Sequence, residues 1–172
     1  MEAHETVIDK ILEKEPRPSF LTVLCILSWV WIGFALLTAF LGLISGPASE
    51  EMMLEQTLQW TKLGDELRSV GADGLVHMTE QMVRMMESLN ANHYPNSIVT
   101  VLDLFIGLVG VIFMWQGRKL GFHLYIVYSI LAIVQIYFFV APSDIPTIGI
   151  VFNLLIAGLF IFLYARNLKW ME

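Results

Sequence analysis

An intrachain disulfide is closed to this 172-residue chain, because its one cysteine, Cys25, has no partner in it. Charge is scarce as well. Asp, Glu, Lys and Arg make up 15% of the residues, and the acidic ones outnumber the basic ones by sixteen to ten, for a net charge of −6. That balance excludes the basic stripe that nucleic-acid binding requires. The chain has no glycine-rich phosphate loop, no HExxH pair and no nucleophile with a partnered base. No segment repeats another, so a duplicated transporter architecture has no support.

What the chain has in excess is apolar sequence. Hydrophobic residues form 56% of it and the mean hydropathy is +0.67, against about 45–50% apolar residues in an average soluble domain. The excess is concentrated in four runs, at 20–44, 98–116, 121–140 and 145–165. A helix needs roughly 20 apolar residues to cross the hydrocarbon core, and each run meets that length. Backbone groups cannot stay unpaired in lipid, and the runs show no alternation of period two, so all four are expected to be helices. The first is read as a retained anchor, since Glu2, Glu5, Asp9, Glu13 and Glu15 make an unsuitable leader for a cleaved signal. The lipid bilayer is the expected partner, no cofactor is expected, and an enzyme is not. Membrane hydrolases need paired acidic or histidine motifs within their spans, and here one carboxylate, Asp103, lies inside an apolar run.

Basic residues orient the four runs. Lys10, Lys14 and Arg17 precede the first, Arg118 and Lys119 lie between the second and third, and Arg166 and Lys169 follow the fourth. Four crossings put these segments on one side, and the opposite side keeps only Lys62, Arg68 and Arg84. The positive-inside rule then places both termini in the cytoplasm, with the chain in the cytoplasmic (inner) membrane. Trp115 and Trp170 fall where indole rings favour the membrane boundary.

The polar segments divide as follows. Residues 1–19 are a cytoplasmic leader in which Val7, Ile8, Ile11 and Leu12 have helical spacing, so a short interfacial helix is expected, ended by Pro16 and Pro18. Residues 45–97 form the one large insert. Gly46 and Pro47 break the first run, Ser49 is a suitable N-cap, and Glu50 and Glu51 complement the helix dipole. A seam of Met53, Gln56, Trp60, Leu63, Leu67 and Val70 follows, then a break at Gly71 to Gly74 with Asp73 as a cap. The second seam is Leu75, Met78, Met82, Met85 and Leu89, widened by Val76, Val83 and Met86. Two amphipathic helices with a short turn read as an antiparallel hairpin. A loop over 90–97 containing Pro95 leads to a cap at Ser97. The remainder, 98–168 with a cytoplasmic end to 172, forms the last three spans. Short links make these a compact up-down bundle, while the hairpin tethers the first span loosely. The fold expected is thus an all-α integral membrane protein of four transmembrane helices, with an extracytoplasmic helical hairpin between the first and second.

Two constellations carry possible chemistry. Asp103, Gln135, Asn153 and Thr38 fall at similar depth, within roughly one turn at about 1.5 Å per residue. An ionisable residue near the bilayer centre costs up to about 3 kcal/mol, so Asp103 is a candidate proton or ligand site. The same four residues equally suit helix-to-helix hydrogen bonds of about 0.6 kcal/mol each. The other constellation is Met78, Met82, Met85 and Met86 with His77, whose thioethers and imidazole suit Cu(I). Methionine also fills apolar seams and adaptable partner surfaces. Gly107 and Gly110, and Gly42 with Gly46, permit close helix contact.

The stretch from Trp115 through Gly117, Arg118, Lys119 and Gly121 to Tyr125 resembles a turn found in small four-span bacterial inner-membrane proteins of unknown function. The stretch from Pro18 to Leu24 resembles their entry to the first span. The resemblance implies a bacterial cytoplasmic membrane and carries no activity with it. The leading expectation is therefore a non-enzymatic accessory, scaffold or assembly subunit whose hairpin binds a membrane-protein partner or forms a homo-oligomer. The alternatives are a small transporter or channel component working through Asp103, and a copper-sensing or copper-handling protein working through the methionines.

Overall fold

The computed structural model describes residues 17–172, which leaves the expected leader helix at Val7 to Leu12 outside the described residues. Six α-helices follow one another: α1 Ser19–Ser45, α2 Glu50–Ser69, α3 Asp73–Ala91, α4 His93–Trp115, α5 Lys119–Val134 and α6 Thr147–Ala165. Two 3-10 turns, Gln135–Phe138 and Pro142–Asp144, lie between α5 and α6, and no strand occurs among the described residues. Four helices are long and apolar enough to cross a membrane: α1, α4, α5 with its 3-10 extension to Phe138, and α6. They expose Val30, Trp31, Phe34, Leu102, Phe152 and Leu155. Water tolerates no contiguous apolar surface of that extent, and lipid does.

Local chemistry sets most of the helix ends. Pro18 precedes α1, where its missing N–H costs nothing. The Ser49 hydroxyl accepts the Met52 N–H at 3.3 Å, the expected cap of α2. Gly71 takes φ +76° and closes α2 with a pair of reversed bonds, Gly71 N–H to Arg68 C=O at 3.1 Å and Ala72 N–H to Leu67 C=O at 3.0 Å. Gly117, at φ +77°, repeats that motif at the end of α4, with Arg118 N–H reaching Phe113 C=O at 2.9 Å.

The loop expected over 90–97 is instead helical. Only Asn92 separates α3 from α4, and Asn92 Nδ2 donates to Ser88 C=O at 2.9 Å. Pro95 sits in the first turn of α4, where backbone N–H groups have no helical acceptor, so a proline is no breaker there. Ser97 and Asp73 are consequently helical residues and not caps.

The hairpin tether left open on which side the first span packs, and the structure places it against α4. Helix α1 packs along α4, α4 packs along α5, and α6 has the slightest contact with the rest. Glycine explains the tight pair. A methyl group on Gly107 would lie 2.8 Å from the Tyr128 ring, and one on Gly121 would lie 2.5 Å from Met114 N. Helices α4 and α5 therefore approach at backbone contact. On α6 the glycines make no such contact: Gly149 and Gly158 face nothing within 4 Å. Gly42 likewise faces open space, and Gly46 serves as the turn that ends α1, at φ +76°.

The core lies toward the end of the bundle remote from the hairpin. Leu21, Leu24, Cys25 and Ile32 of α1 meet Leu104, Val111 and Met114 of α4, Phe122 and Tyr125 of α5, Tyr164 of α6, and Met171. The chain end is bound into the same region. Glu172 N–H donates to Gly117 C=O at 2.7 Å, and Lys119 N–H donates to Glu172 C=O at 2.8 Å. The Arg17 guanidinium lies 3.7 Å over the Trp115 ring, which tilts against Trp29 at 4.6 Å. The chain end and Arg17 close the bundle at this end.

Candidate functional site

The insert is a helical hairpin closed on itself at its base and fastened through α3 to the turn before α6. Asn90 makes a two-way amide pair with Ala48: the Ala48 N–H donates to Oδ1 at 2.7 Å, and Nδ2 donates to the Ala48 C=O at 3.2 Å. Arg84 Nε donates to Asp144 Oδ1 at 2.7 Å, and Gln81 Nε2 donates to Ser143 C=O at 2.8 Å, so α3 is fastened to the turn before α6. His93 Nε2 meets Gly42 C=O at 3.0 Å and joins α1 to α4. None of these ties was foreseen in the sequence, because each partner lies at least forty residues away and is a backbone group or a loop carboxylate.

The seam within the hairpin differs from the expected one. Gly64 of α2 packs on Thr79 of α3, with a methyl at Gly64 falling 2.8 Å from Thr79 Oγ1. The inner row of α2 is Met53, Thr57, Trp60, Gly64 and Leu67, while Gln56, Leu63 and Val70 are exposed. On α3 the buried positions are Val76 and Thr79. Small residues win the contact because they let the helices close, and the larger apolar residues are displaced to the flanks. Met52, Leu63 and Val70 share one flank of α2, and Leu54 and Leu58 the other; all five are exposed.

Met78, Met82, Met85 and Met86 are each half-buried and His77 is exposed. No group of three or more His, Cys, Asp or Glu that could hold a metal occurs among the described residues.

The expected polar layer divides: Thr38 and Asn153 are exposed, while Asp103 and Gln135 both lie on the α4–α5 contact. Among the described residues no hydrogen bond joins any two of the four. Thr38 is exposed and donates to Ala35 C=O of its own helix at 2.9 Å. Asn153 is exposed and lines a crevice between α1, α5 and α6. Asp103 is 4% exposed, one helical turn from Gly107 and on the side of α4 that meets Tyr128. Gln135 sits where α5 tightens into its 3-10 extension, against α4. Asp103 Oδ1 and Gln135 Oε1 are both buried without a hydrogen-bond partner.

A further polar group was missed altogether. Ser28 and Tyr164 share a buried hydrogen bond of 2.8 Å, and the Tyr164 ring lies 4.9 Å from Tyr125, which lies 5.6 Å from Tyr128. Ser28 and Tyr164 are 136 residues apart. Each reads alone as an unremarkable residue of an apolar run, and only the packing of α6 across α1 makes them a pair. The chain matches no protein-family model, no curated protein and no solved structure.

Proposed function

We propose that this chain is a non-enzymatic multi-pass protein of a bacterial cytoplasmic membrane, with both termini inside. It acts as an accessory or assembly subunit, and its α2–α3 hairpin is an extracytoplasmic platform for a partner protein or a second copy. One observation carries this reading. The hairpin is held to the bundle at Arg84 and Gln81 and closed at its base by Asn90, yet it leaves Met52, Leu54, Leu58, Leu63 and Val70 uncovered. A held helix keeps its apolar side chains in one place, so a partner that covers them loses little conformational freedom on binding. About fifty residues of hairpin are too few to bury all of that apolar surface internally. The double variant Leu54→Lys, Leu58→Lys tests the proposal. Purified from native membranes in mild detergent, the wild type is expected to run as an oligomer or with a stoichiometric partner, and the variant as a single chain with unchanged helicity. A wild type that is already a lone monomer overturns the reading.

A second reading rests on the two buried oxygens of Asp103 and Gln135. Uncompensated polar atoms inside a span mark ion, proton or ligand sites. The Asp103→Asn variant distinguishes the two readings. It abolishes function through an intramembrane site and leaves the hairpin's assembly intact.

A further inference from the structure

Helix α6 packs so lightly that it leaves a crevice of about 530 Å³ between itself, α1 and α5. Binding pockets for small molecules span about 300–1,000 Å³ and pair apolar walls with a few convergent polar groups. This one has that character. Trp31 of α1, Tyr125 and Tyr128 of α5 and Phe152 of α6 supply aromatic faces, and Ser28 and Asn153 bring polar atoms to the wall.

The polar atoms are not equally committed. Ser28 is taken by Tyr164. Among the described residues the Asn153 side chain makes no hydrogen bond, although it lies in a helix apolar enough to cross a membrane. An amide left bare there costs free energy unless something accepts from it. Tyr128 also lines the crevice, and no hydrogen bond among the described residues uses its hydroxyl proton. The crevice therefore offers two donors, the Asn153 amide and the Tyr128 hydroxyl, among flat aromatic walls.

A bilayer lipid does not answer that need. Both donors are set inside the apolar length of their helices, where a phospholipid brings only alkyl chain. The complementary molecule is planar, apolar enough to dissolve in the bilayer, and carries carbonyl oxygens on its ring. We propose that the α1–α5–α6 crevice binds a lipophilic carbonyl-bearing ring of the quinone-headgroup class, with Asn153 and Tyr128 donating to its oxygens and Trp31 stacking on its face. The site is separate from the hairpin platform and stands whether or not that reading holds.

The test uses the full chain in nanodiscs of dioleoylphosphatidylcholine, with decyl-dimethoxy-methylbenzoquinone as the probe and tryptophan fluorescence as the readout. A bound quinone quenches a stacked indole. Quenching is expected to saturate in the wild type, and to lose its saturable part in Trp31→Phe. The apparent affinity should fall about tenfold or more in Asn153→Leu, as loss of a buried hydrogen bond implies. Ala157→Phe, which fills the crevice from α6, should abolish saturation. Circular dichroism and gel filtration identify any variant that fails to fold, and the remaining substitution then decides. Three results overturn the proposal. Quenching that stays linear and equal in all variants means simple partition into lipid. Quenching by lipids with brominated chains that excess quinone does not relieve means an acyl chain fills the crevice. A shift of Asn153→Leu from dimer to monomer means that Asn153 meets a second copy.

Discussion

Asp103 shows how much a single side chain can leave open. Its helix places it on the tight α4–α5 contact, where one carboxylate oxygen is enclosed and has nothing to bond to. A carboxyl group kept in that state stabilises nothing, and natural proteins tolerate such groups chiefly where they serve function. Asp103→Asn conserves shape and removes the ionisable group. It is expected to leave the thermal midpoint in detergent unchanged or raise it, corresponding to about 0–1 kcal/mol of stabilisation. A loss of more than about 1 kcal/mol would instead make Asp103 a structural hydrogen-bonding group between helices. Its presence inside an apolar run was plain in the sequence. Its separation from Thr38 and Asn153 was not, because equal depth along four helices says nothing about which way each helix is rotated.

At the scale of the element, glycine decides which helices meet. Gly121→Ala would drive a methyl group into Met114 N and the Gly110 carbonyl, backbone atoms that cannot turn aside. The expected cost is about 1–3 kcal/mol, as for other overpacked contacts, read as a lowered midpoint of thermal unfolding in detergent. Gly33→Ala, at a position with nothing within 4 Å, is the control and should be neutral or slightly stabilising through helix propensity. If both variants melt alike, the close α4–α5 approach does not hold the bundle. The Arg84–Asp144 pair deserves less weight than its 2.7 Å length suggests. The Arg84 side chain is 44% exposed, and pairs open to water contribute about 0–1 kcal/mol. The Asn90–Ala48 amide pair, half-buried and two-way, is the firmer tie. The α2 helix and its Ser49 cap were legible in sequence because caps and periodicity are local. The seam was misplaced by one position at Gln56 and Leu63, since hydrophobic spacing names large residues while close packing chose Thr57 and Gly64.

For the whole molecule, the charge asymmetry becomes a spatial one. Arg17, Arg118, Lys119 and the chain end gather around Trp115 and Gly117 at the closed end of the bundle, and Lys62, Arg68 and Arg84 belong to the hairpin at the other. The orientation proposed from that asymmetry has a direct check. In a Cys25→Ala background, Lys62→Cys should react with a membrane-impermeant maleimide on intact cells, and Lys169→Cys only after permeabilisation. The opposite pattern reverses the orientation. Reaction of both without permeabilisation is incompatible with four crossings.

Length and apolarity in the sequence determined the four long apolar helices and the place of the polar insert, and Ser49 determined the capped start of α2. Those properties depend on residues within a few turns of one another. Tertiary structure alone decided that α1 is held and α6 is loose, that Ser28 finds Tyr164, that Asp103 and Gln135 are each left unbonded, and that a crevice opens beside Asn153. These depend on the rotation of each helix about its axis. That rotation is set by where small residues let two backbones touch, and a uniformly apolar run does not announce it.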